Sequence, residues 1–403
     1  MRDKALSGVK VLEYAQLVTG PYCTKLLADL GAEVIKIEEP GIGDEARRRG
    51  PFLNDIPHPE RSGLFLYVNT NKLGITLGVE TATGKKIFRE LAKEADILVE
   101  DKPPGVMNGL GLDYESLREI NPRLVMTSIT PFGQTGPYKN YKAYHLNVVH
   151  ASGGGYLHPP GSPNLKREPT KGGGLFDDYS SGVTAAVGTL GALYVQRMTG
   201  KGQHVDVSKQ EAVSSLDGVT LAQYPNEGIV PRRVPIRPMR MVLPCKDGYV
   251  IGGGGALQDD QWQAMKKLLG NPAWAEDEKF KDEDSRGEHL EEISLHFAEW
   301  VLPRYREEYY HQGQAAGLAV ALVRTAGEVV NSEQFMERRF FVEIDHPETG
   351  RLKYPSVPYR FSATPFRVTR PAPLLGQHNE EIYCQRLGYS RQELVRMREA
   401  GII

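Results

Sequence analysis

An acidic pair beside a glycine run is the part of this 403-residue chain best suited to chemistry. The segment reads Lys171-Gly-Gly-Gly-Leu-Phe-Asp-Asp178-Tyr-Ser-Ser-Gly182 and leads into a small-residue stretch, Val183 to Tyr194, with helical character. A carboxylate at the mouth of a helix lies close to unpaired backbone N–H groups. Those groups stabilise its charge and that of a bound ligand. The same residues also suit a plain N-cap, the commoner use of Asp and Ser before a helix. A Gly-rich turn then feeds a short strand, His204 to Val207.

Other residues extend the candidate site. Gly252, Gly253, Gly254 and Gly255 follow an apolar run. Four glycines cost backbone entropy, so they suit a mobile lid or close backbone approach to a ligand; the plainer reading is a strained hairpin end. Lys72, before a strand-like run, and Lys142, in a Tyr- and Lys-rich segment, are placed to meet phosphates, although surface lysines are usually just solvated. Arg47 opens a three-arginine cluster suited to phosphate. His145 and His150 share a helix-like stretch. His145 facing Asp178 would make an acid–base couple.

The elements that must position these residues alternate between strand and helix. Val9–Tyr14, Glu33–Glu38, Ile75–Val79, Ile97–Glu100 and Leu124–Ile129 read as strands; Pro21–Leu30, Thr81–Ala95 and Tyr114–Ile120 read as helices. This alternation predicts a mostly parallel sheet covered on both faces. Ligands of such sheets bind beyond the carboxyl ends of the strands, at the loops after Tyr14, Glu38, Glu100 and Ile129. The first turn lacks G-x-G-x-x-G, and no P-loop, G-x-S-x-G or H-E-x-x-H motif is present. A Pro- and Arg-rich connector, Pro231–Pro238, precedes strand-like runs on either side of Lys246-Asp-Gly248 and helices over Asp259–Leu269, Leu290–Val301 and Pro303–Ala316. The tail adds strand-like runs and a last helix, Arg391–Ala400. The predicted divisions are residues 1–225, a linker at 226–238, a smaller domain at 239–327, and a return to the first domain over 328–403.

Composition bounds the function. The net charge of −2 gives no general attraction to nucleic acid or an anionic membrane, so an anionic ligand needs a local cluster. Three scattered cysteines argue against a disulfide framework or zinc site and for a reducing, cytoplasmic setting. No run has the length and apolarity of a signal peptide core or a membrane helix.

Taken in order, the motifs resemble the class III CoA-transferases. The similarity runs through Leu6-Ser-Gly-Val-Lys-Val-Leu-Glu13, Leu30-Gly-Ala-Glu-Val-Ile-Lys-Ile-Glu38, Gly43-Asp-Glu-Ala-Arg47, Asn71-Lys72, Gly111-Leu-Asp-Tyr114 and Gly133-Gln-Thr-Gly-Pro137. It peaks at Asp178-Tyr-Ser-Ser-Gly182 and Arg197-Met-Thr-Gly-Lys-Gly-Gln-His-Val-Asp-Val-Ser208, and ends at Leu375-Gly-Gln-His378. The resemblance implies a Rossmann-like large domain made from both chain ends, an inserted smaller α/β domain, and two subunits interlocked as rings. These are a homodimer by default or a heteromer with a related subunit.

It also implies that Asp178 is the catalytic aspartate, with Asp177 as competitor, and that Gly252–Gly255 is a mobile loop. CoA contacts would come from Gln16, Leu17, Val18, Lys72, Lys142 and Arg47. Coenzyme A and acyl-CoA are then substrates rather than resident cofactors, and no metal is implied. Asp101 and Lys102 stand where relatives often carry Asn-Phe. His145 aligns with a base of the α-methylacyl-CoA racemases, so an epimerase using His145 and Asp178 is the alternative. A non-catalytic partner subunit is a third reading. Arg167, Lys171, Arg232, Arg233 and Arg237 are candidates for a second substrate carboxylate, and Tyr156, Tyr179 and Tyr224 for an aromatic or alkyl group. Succinyl-CoA as donor and a substituted succinate such as benzylsuccinate as acceptor follow from that reading.

Overall fold

The computed structural model describes residues 4–159, 164–233, 242–252, 258–366 and 368–403. The chain forms two compact units: Met1–His158, Thr170–Pro231 and Arg338–Ile403 in the first, Pro159–Pro169 and Arg232–Glu337 in the second.

The first unit is organised by a six-stranded parallel sheet in the order β3-β2-β1-β4-β5-β6. Its strands are β1 (Lys10–Tyr14), β2 (Glu33–Glu38), β3 (Lys72–Thr76), β4 (Ile97–Glu100), β5 (Val125–Thr130) and β6 (His204–Ser208). The period-2 alternation of strand side chains divides the apolar residues between two faces. Leu12, Ile37, Leu73, Leu98 and Met126 join one core, which is closed by helix α3 (Ala82–Glu94) and the C-terminal helix Arg391–Glu399. Val11, Val34, Ile97, Val99 and Val125 face the other, closed by α1 (Thr19–Asp29) and the long helix α7 (Phe176–Thr199). The shorter helices between them are α2 (Gly63–Val68), α4 (Val106–Leu110), α5 (Tyr114–Arg118) and α6 (His145–Ala151). The chain leaves β1 towards β2 on one side and β4 towards β5 on the other. The loops after β1 and β4 therefore flank the point where strand order reverses, the usual ligand crevice of such sheets.

The outer edge of β3 is covered by the returning tail. Gly74 N–H donates to His378 Nδ1 (3.0 Å), Thr76 N–H to Asn379 Oδ1 (2.9 Å), and Tyr383 Oη to the Thr76 carbonyl (2.5 Å). Pairing the edge in this way removes an open hydrogen-bonding template. The tail also contributes a hairpin, Phe341–His346 with Gly350–Pro355, which packs with Phe65 and Leu66.

The second unit holds the antiparallel strands Val242–Cys245, Gly248–Ile251 and Ala321–Leu322. The expected turn at Lys246 and Asp247 connects the first two. Helices over Asp259–Leu268, Leu290–Val301 and Arg306–Ala315 enclose a core that includes Trp262, Phe280, Phe297 and Tyr309.

Two of the boundaries that differ from the sequence expectation bear on the site. The third strand occupies Lys72–Thr76 rather than Ile75–Val79, because pairing with β2 starts at Val34 with Lys72. The long helix begins at Phe176 rather than Val183. Ser180 and Ser181 satisfy their hydroxyls on carbonyls four residues back, which lets these polar residues sit inside the helix. Asp177 and Asp178 thus lie within the first turn, and neither caps it.

Buried charges hold the β1 end of the sheet. Glu13, fully buried, pairs with Lys36 and Lys72, both at 2.8 Å, and Lys36 reaches Asp44 at 2.7 Å. Burial alone would raise the Glu13 carboxyl, yet Lys36 and Lys72 bring it down from the ordinary 4.5 to about 2. Its contribution to stability is present above about pH 4.5 and is lost as pH falls towards 2. Lys36→Met leaves two buried carboxylates short of a partner. It should cost about 3–5 kcal/mol, read as a lower urea midpoint at pH 7; an unchanged midpoint would show the network to be dispensable.

Candidate active site

The loop after β1 is held by side chains that come from three other segments. Lys36 Nζ donates to the Ala15 carbonyl at 2.9 Å. Gln16 N–H donates to Asp101 Oδ2 at 2.9 Å, and Leu17 N–H to Asp44 Oδ1 at 2.8 Å. Leu17 sits at φ 65°, a left-handed conformation that a branched side chain adopts only when its surroundings enforce it. Val18, buried, ends the loop, and Thr19 opens α1. Gln16 itself is exposed.

Helix α1 lies close against α7. A Cβ on Gly182 would stand 2.9 Å from the Thr19 carbonyl, and one on Gly20 would stand 2.4 Å from Ala15 Cβ. Glycine at 182 lets the two helices approach, glycine at 20 lets the β1 loop fold back on the start of α1, and Thr19 meets Asp178 where they join. Thr19 Oγ1 donates to Asp178 Oδ1 at 3.2 Å.

Two further groups converge on this carboxylate. His145, the first residue of α6, places Nδ1 3.0 Å from Asp178 Oδ2, while its Nε2 lies 3.7 Å from Asp177 Oδ2. Lys209, the first residue of α8 (Lys209–Leu216), donates Nζ to Asp178 Oδ1. Burial pushes the Asp178 carboxyl up, but the His145 and Lys209 contacts outweigh it and hold the group at about 2 against an ordinary 3.8. The carboxylate is only 6% exposed, yet ionised. Tyr179 beside it packs with Tyr22 and Tyr67, ring centroids 4.8 and 6.0 Å away.

The structure brings Asp178 and His145 together as the sequence suggested and adds Thr19 and Lys209. Lys209 directly follows the motif that ends at Ser208. Its signal was the presence of a cation at a helix start, where the dipole disfavours positive charge. Elsewhere on the β1 loop, Asp101 Oδ1 is buried with no hydrogen-bond partner among the described residues. Burial pushes the Asp101 carboxyl up to about 6; Lys102 and the Gln16 N–H pull it down, and Asp44 pushes it further up. Lys102 Nζ lies 4.0 Å from the centre of the Tyr14 ring.

Two predicted phosphate contacts belong elsewhere. Arg47 is fully buried; its donors are taken by Glu38 (2.7 and 2.8 Å), Glu60 (2.6 Å) and the Pro373 carbonyl (3.1 Å). Lys72 is also fully buried, with its ammonium on Glu13, Asn69 Oδ1 and the Pro21 carbonyl, each at 2.8 Å. Their charges neutralise buried carboxylates rather than facing a ligand.

Lys142 is exposed, with no hydrogen bond or ion pair among the described residues. Lys171 donates to the Gly172 and Gly174 carbonyls of its own loop. In the second unit Arg233 Nη2 donates to the Arg167 and Leu165 carbonyls, and Arg232 is exposed. Tyr156 and Tyr224 are exposed. Gly252 is buried there, and a Cβ on it would fall 2.0 Å from Tyr309 Oη. Gly253, Gly254, Gly255 and Arg237 lie outside the described residues. Among the described residues no group of His, Cys, Asp and Glu has the arrangement of a metal site, and no helix is long and apolar enough to cross a membrane.

A Rossmann-type sheet with a buried, ionised aspartate at a helix start suits a nucleotide-bearing ligand with a carboxylate held beside it, and the comparisons with known proteins supply the reaction class and the family. The profile of CoA-transferase family III matches residues 6–379. A formyl-CoA:oxalate CoA-transferase of Streptomyces coelicolor is 34% identical, with all of both chains covered. A succinyl-CoA–D-citramalate CoA-transferase of Chloroflexus aurantiacus is 32% identical over 99% of this chain and 98% of its own. A crystal structure of a CAIB/BAIF family protein from Brucella suis superimposes with a TM-score of 0.83 at 30% identity, covering 95% of this chain and 99% of that one. The chain belongs to CoA-transferase family III and is an enzyme whose substrates are CoA thioesters.

The Asp178 environment predicts a pH signature. Removing the Nδ1 contact in His145→Phe should let the Asp178 carboxyl rise from about 2 towards its ordinary value of about 4. A reaction that needs the ionised form then loses rate at higher pH than wild type. The acid limb of kcat/KM for CoA transfer checks this; a limb that does not move shows that His145 leaves Asp178 unaffected.

Proposed function

We propose that Asp178 carries the CoA group through a covalent aspartyl-CoA thioester. The observation behind this reading is a single carboxylate, nearly sealed from solvent and kept ionised, with donors on both oxygens. An ionised aspartate is a weak nucleophile, so its position and the stabilised transition state do most to raise the rate. Asp178 attacks the donor thioester carbonyl and CoA thiolate leaves, giving a mixed anhydride. The thiolate then attacks the aspartyl carbonyl, and the donor acid departs as its carboxylate. The acceptor carboxylate runs the same steps in reverse. Thioester energy is conserved throughout, and the N–H groups at the start of α7 are the candidate donors to an oxyanion. Among the described residues the Asp177 carboxylate has His145 as its one ion-pair partner, at the longer distance of 3.7 Å, which favours Asp178 over its neighbour as nucleophile.

The alternative, an epimerase with His145 and Asp178 as its two bases, needs a substrate α-carbon between them. The two groups share a hydrogen-bond distance of 3.0 Å, which leaves no space for that carbon as they stand. The contact favours an oriented nucleophile over a pair of opposed bases.

The acids we propose are succinate, delivered as succinyl-CoA, and a substituted succinate as acceptor, with benzylsuccinate as the aromatic case. The two transferase relatives support small dicarboxylic acids, since oxalate, succinate and citramalate are all dicarboxylates and citramalate is itself a substituted succinate. The Tyr22, Tyr67 and Tyr179 cluster beside Asp178 supports an aromatic substituent.

We also propose that a second chain, identical or closely related, covers helix α7. The face of α7 that carries Ala185, Thr189, Ala192 and Gln196 is buried, but Val183, Val187, Tyr194 and Met198 on the other side are exposed. A helix apolar all round expects a partner on both sides. Sedimentation of the purified chain should show a dimer; a monomer at micromolar concentration would require a different, heterologous subunit.

Intact-protein mass spectrometry after mixing with succinyl-CoA should show a CoA adduct that maps to the Asp178 peptide. Asp178→Ala should lose that adduct and at least roughly a thousandfold in kcat, while CoA still binds. Wild-type turnover in that variant would sink the covalent reading.

A further inference from the structure

Lys209 is positioned against its local preference. It opens α8, where the helix dipole repels a cation, and Ser208 already caps that end by accepting the Glu211 N–H at 3.3 Å. Its side chain is mostly buried, so its charge needs a partner. The partner is Asp178 Oδ1. An ammonium has three N–H donors, and among the described residues Lys209 Nζ has only this one acceptor. Two donors remain, next to the reacting carboxylate.

The covalent cycle changes the charge at that point. In the resting enzyme Asp178 is an anion and balances Lys209. When CoA thiolate attacks the aspartyl carbonyl of the mixed anhydride, a C–S bond forms, the bridging C–O bond breaks, and the electron pair leaves on the donor acid. Asp178 is now a neutral thioester, so the negative charge has moved to the free acid. No proton is transferred, and no oxidant or reductant is required. Lys209 remains a mostly buried cation without its counter-ion, with donors facing the position the acid has just left. A carboxylate is the ligand that restores the balance, and it is also the nucleophile for the return half-reaction.

We propose that Lys209 is the carboxylate-binding residue for the exchanging acid, passing from Asp178 to the free acid whenever Asp178 carries CoA. This rests on the aspartyl-CoA reading above. It assigns the enzyme a built-in preference: the resting site, already neutralised, does not attract a free acid, whereas the charged thioester form does. The order of events is then CoA transfer first and acceptor acid second. His145, whose Nε2 is buried with no hydrogen-bond partner among the described residues, lies on the other oxygen and is not needed for this exchange.

The test separates loading of Asp178 from its discharge. Wild type, Lys209→Met and Lys209→Arg are each loaded with succinyl-CoA or formyl-CoA, whichever gives the adduct, and the adduct is isolated. Its decay is timed with the matching acid, succinate or formate, and separately with hydroxylamine, which carries no negative charge. We expect Lys209→Met to lose adduct to the acid at least about tenfold more slowly than wild type, with half-saturation at higher acid concentration. Its decay with hydroxylamine should stay within about twofold of wild type, and Lys209→Arg should recover much of the acid rate. CoA dissociation constants serve as the fold control, and Lys209→Gln replaces the methionine variant if that one fails to bind CoA. Discharge by acid at the wild-type rate in the methionine or glutamine variant overturns the role of Lys209 and leaves Asp178 as nucleophile. Equal slowing with acid and hydroxylamine also overturns it, since Lys209 would then act on the thioester alone. Absence of any adduct in wild type with both donors removes the aspartyl-CoA reading and this inference with it.

Discussion

The site rests on a set of charges that water cannot reach. Glu13, Lys36, Lys72 and Asp44 sit at the carboxyl ends of β1 and β2 and the start of β3, all essentially inaccessible. Isolated, each would be expensive to bury; together they are tolerable only at good geometry. That geometry extends outward. Lys36 binds the Ala15 carbonyl and Asp44 the Leu17 N–H, so the loop after β1 is held by groups that cannot move without leaving a charge unpaired. Thr19 follows directly, and Thr19 touches Asp178. The Asp178 carboxylate is therefore positioned, through a short chain of contacts, by a network that does not itself touch it.

The second constraint is the close contact of α1 with α7. Gly182 is placed where any side chain would overlap the Thr19 carbonyl, so the helices close on the segment that carries Thr19 to Asp178; Gly20 does the same for the β1 loop against Ala15. The start of α7 provides a helix dipole that favours an anion, while the start of α8 holds a cation its own dipole disfavours. The two ends meet as an ion pair. What α8 loses locally is offset at the site, a local conflict that marks function.

Much of the scaffold was legible in the chain. Strands β1, β2, β4, β5 and β6 fall within a residue or so of their β-branched runs; the runs are fully buried in β4 and β5 and are interrupted by polar residues in β2 and in the edge strand β6. The third strand was displaced because its first residue is a lysine, and a lysine in a buried strand is unexpected until Glu13 is seen beside it. Arg47 misled for the same reason: three consecutive arginines suggest a solvated or phosphate-binding surface, but Glu38 and Glu60 draw the first of them inside. The helix around Asp178 starts early because Ser180 and Ser181 find acceptors in the preceding turn, which their type alone would not suggest.

The sequence by itself determined the alternation of strands and helices, the absence of a dinucleotide glycine fingerprint, and the acidic pair that stands before Gly182. These are local properties, set by residue type and spacing along a few turns or strands. Only the tertiary structure decided which charges are buried and with whom they pair. Glu13 meets Lys72, Arg47 meets Pro373, and Asp178 meets Thr19, His145 and Lys209. Each pairing joins segments separated by tens to hundreds of residues. The free energy of a buried charge depends on what surrounds it in space, and that information appears only once the sheet has closed its two faces.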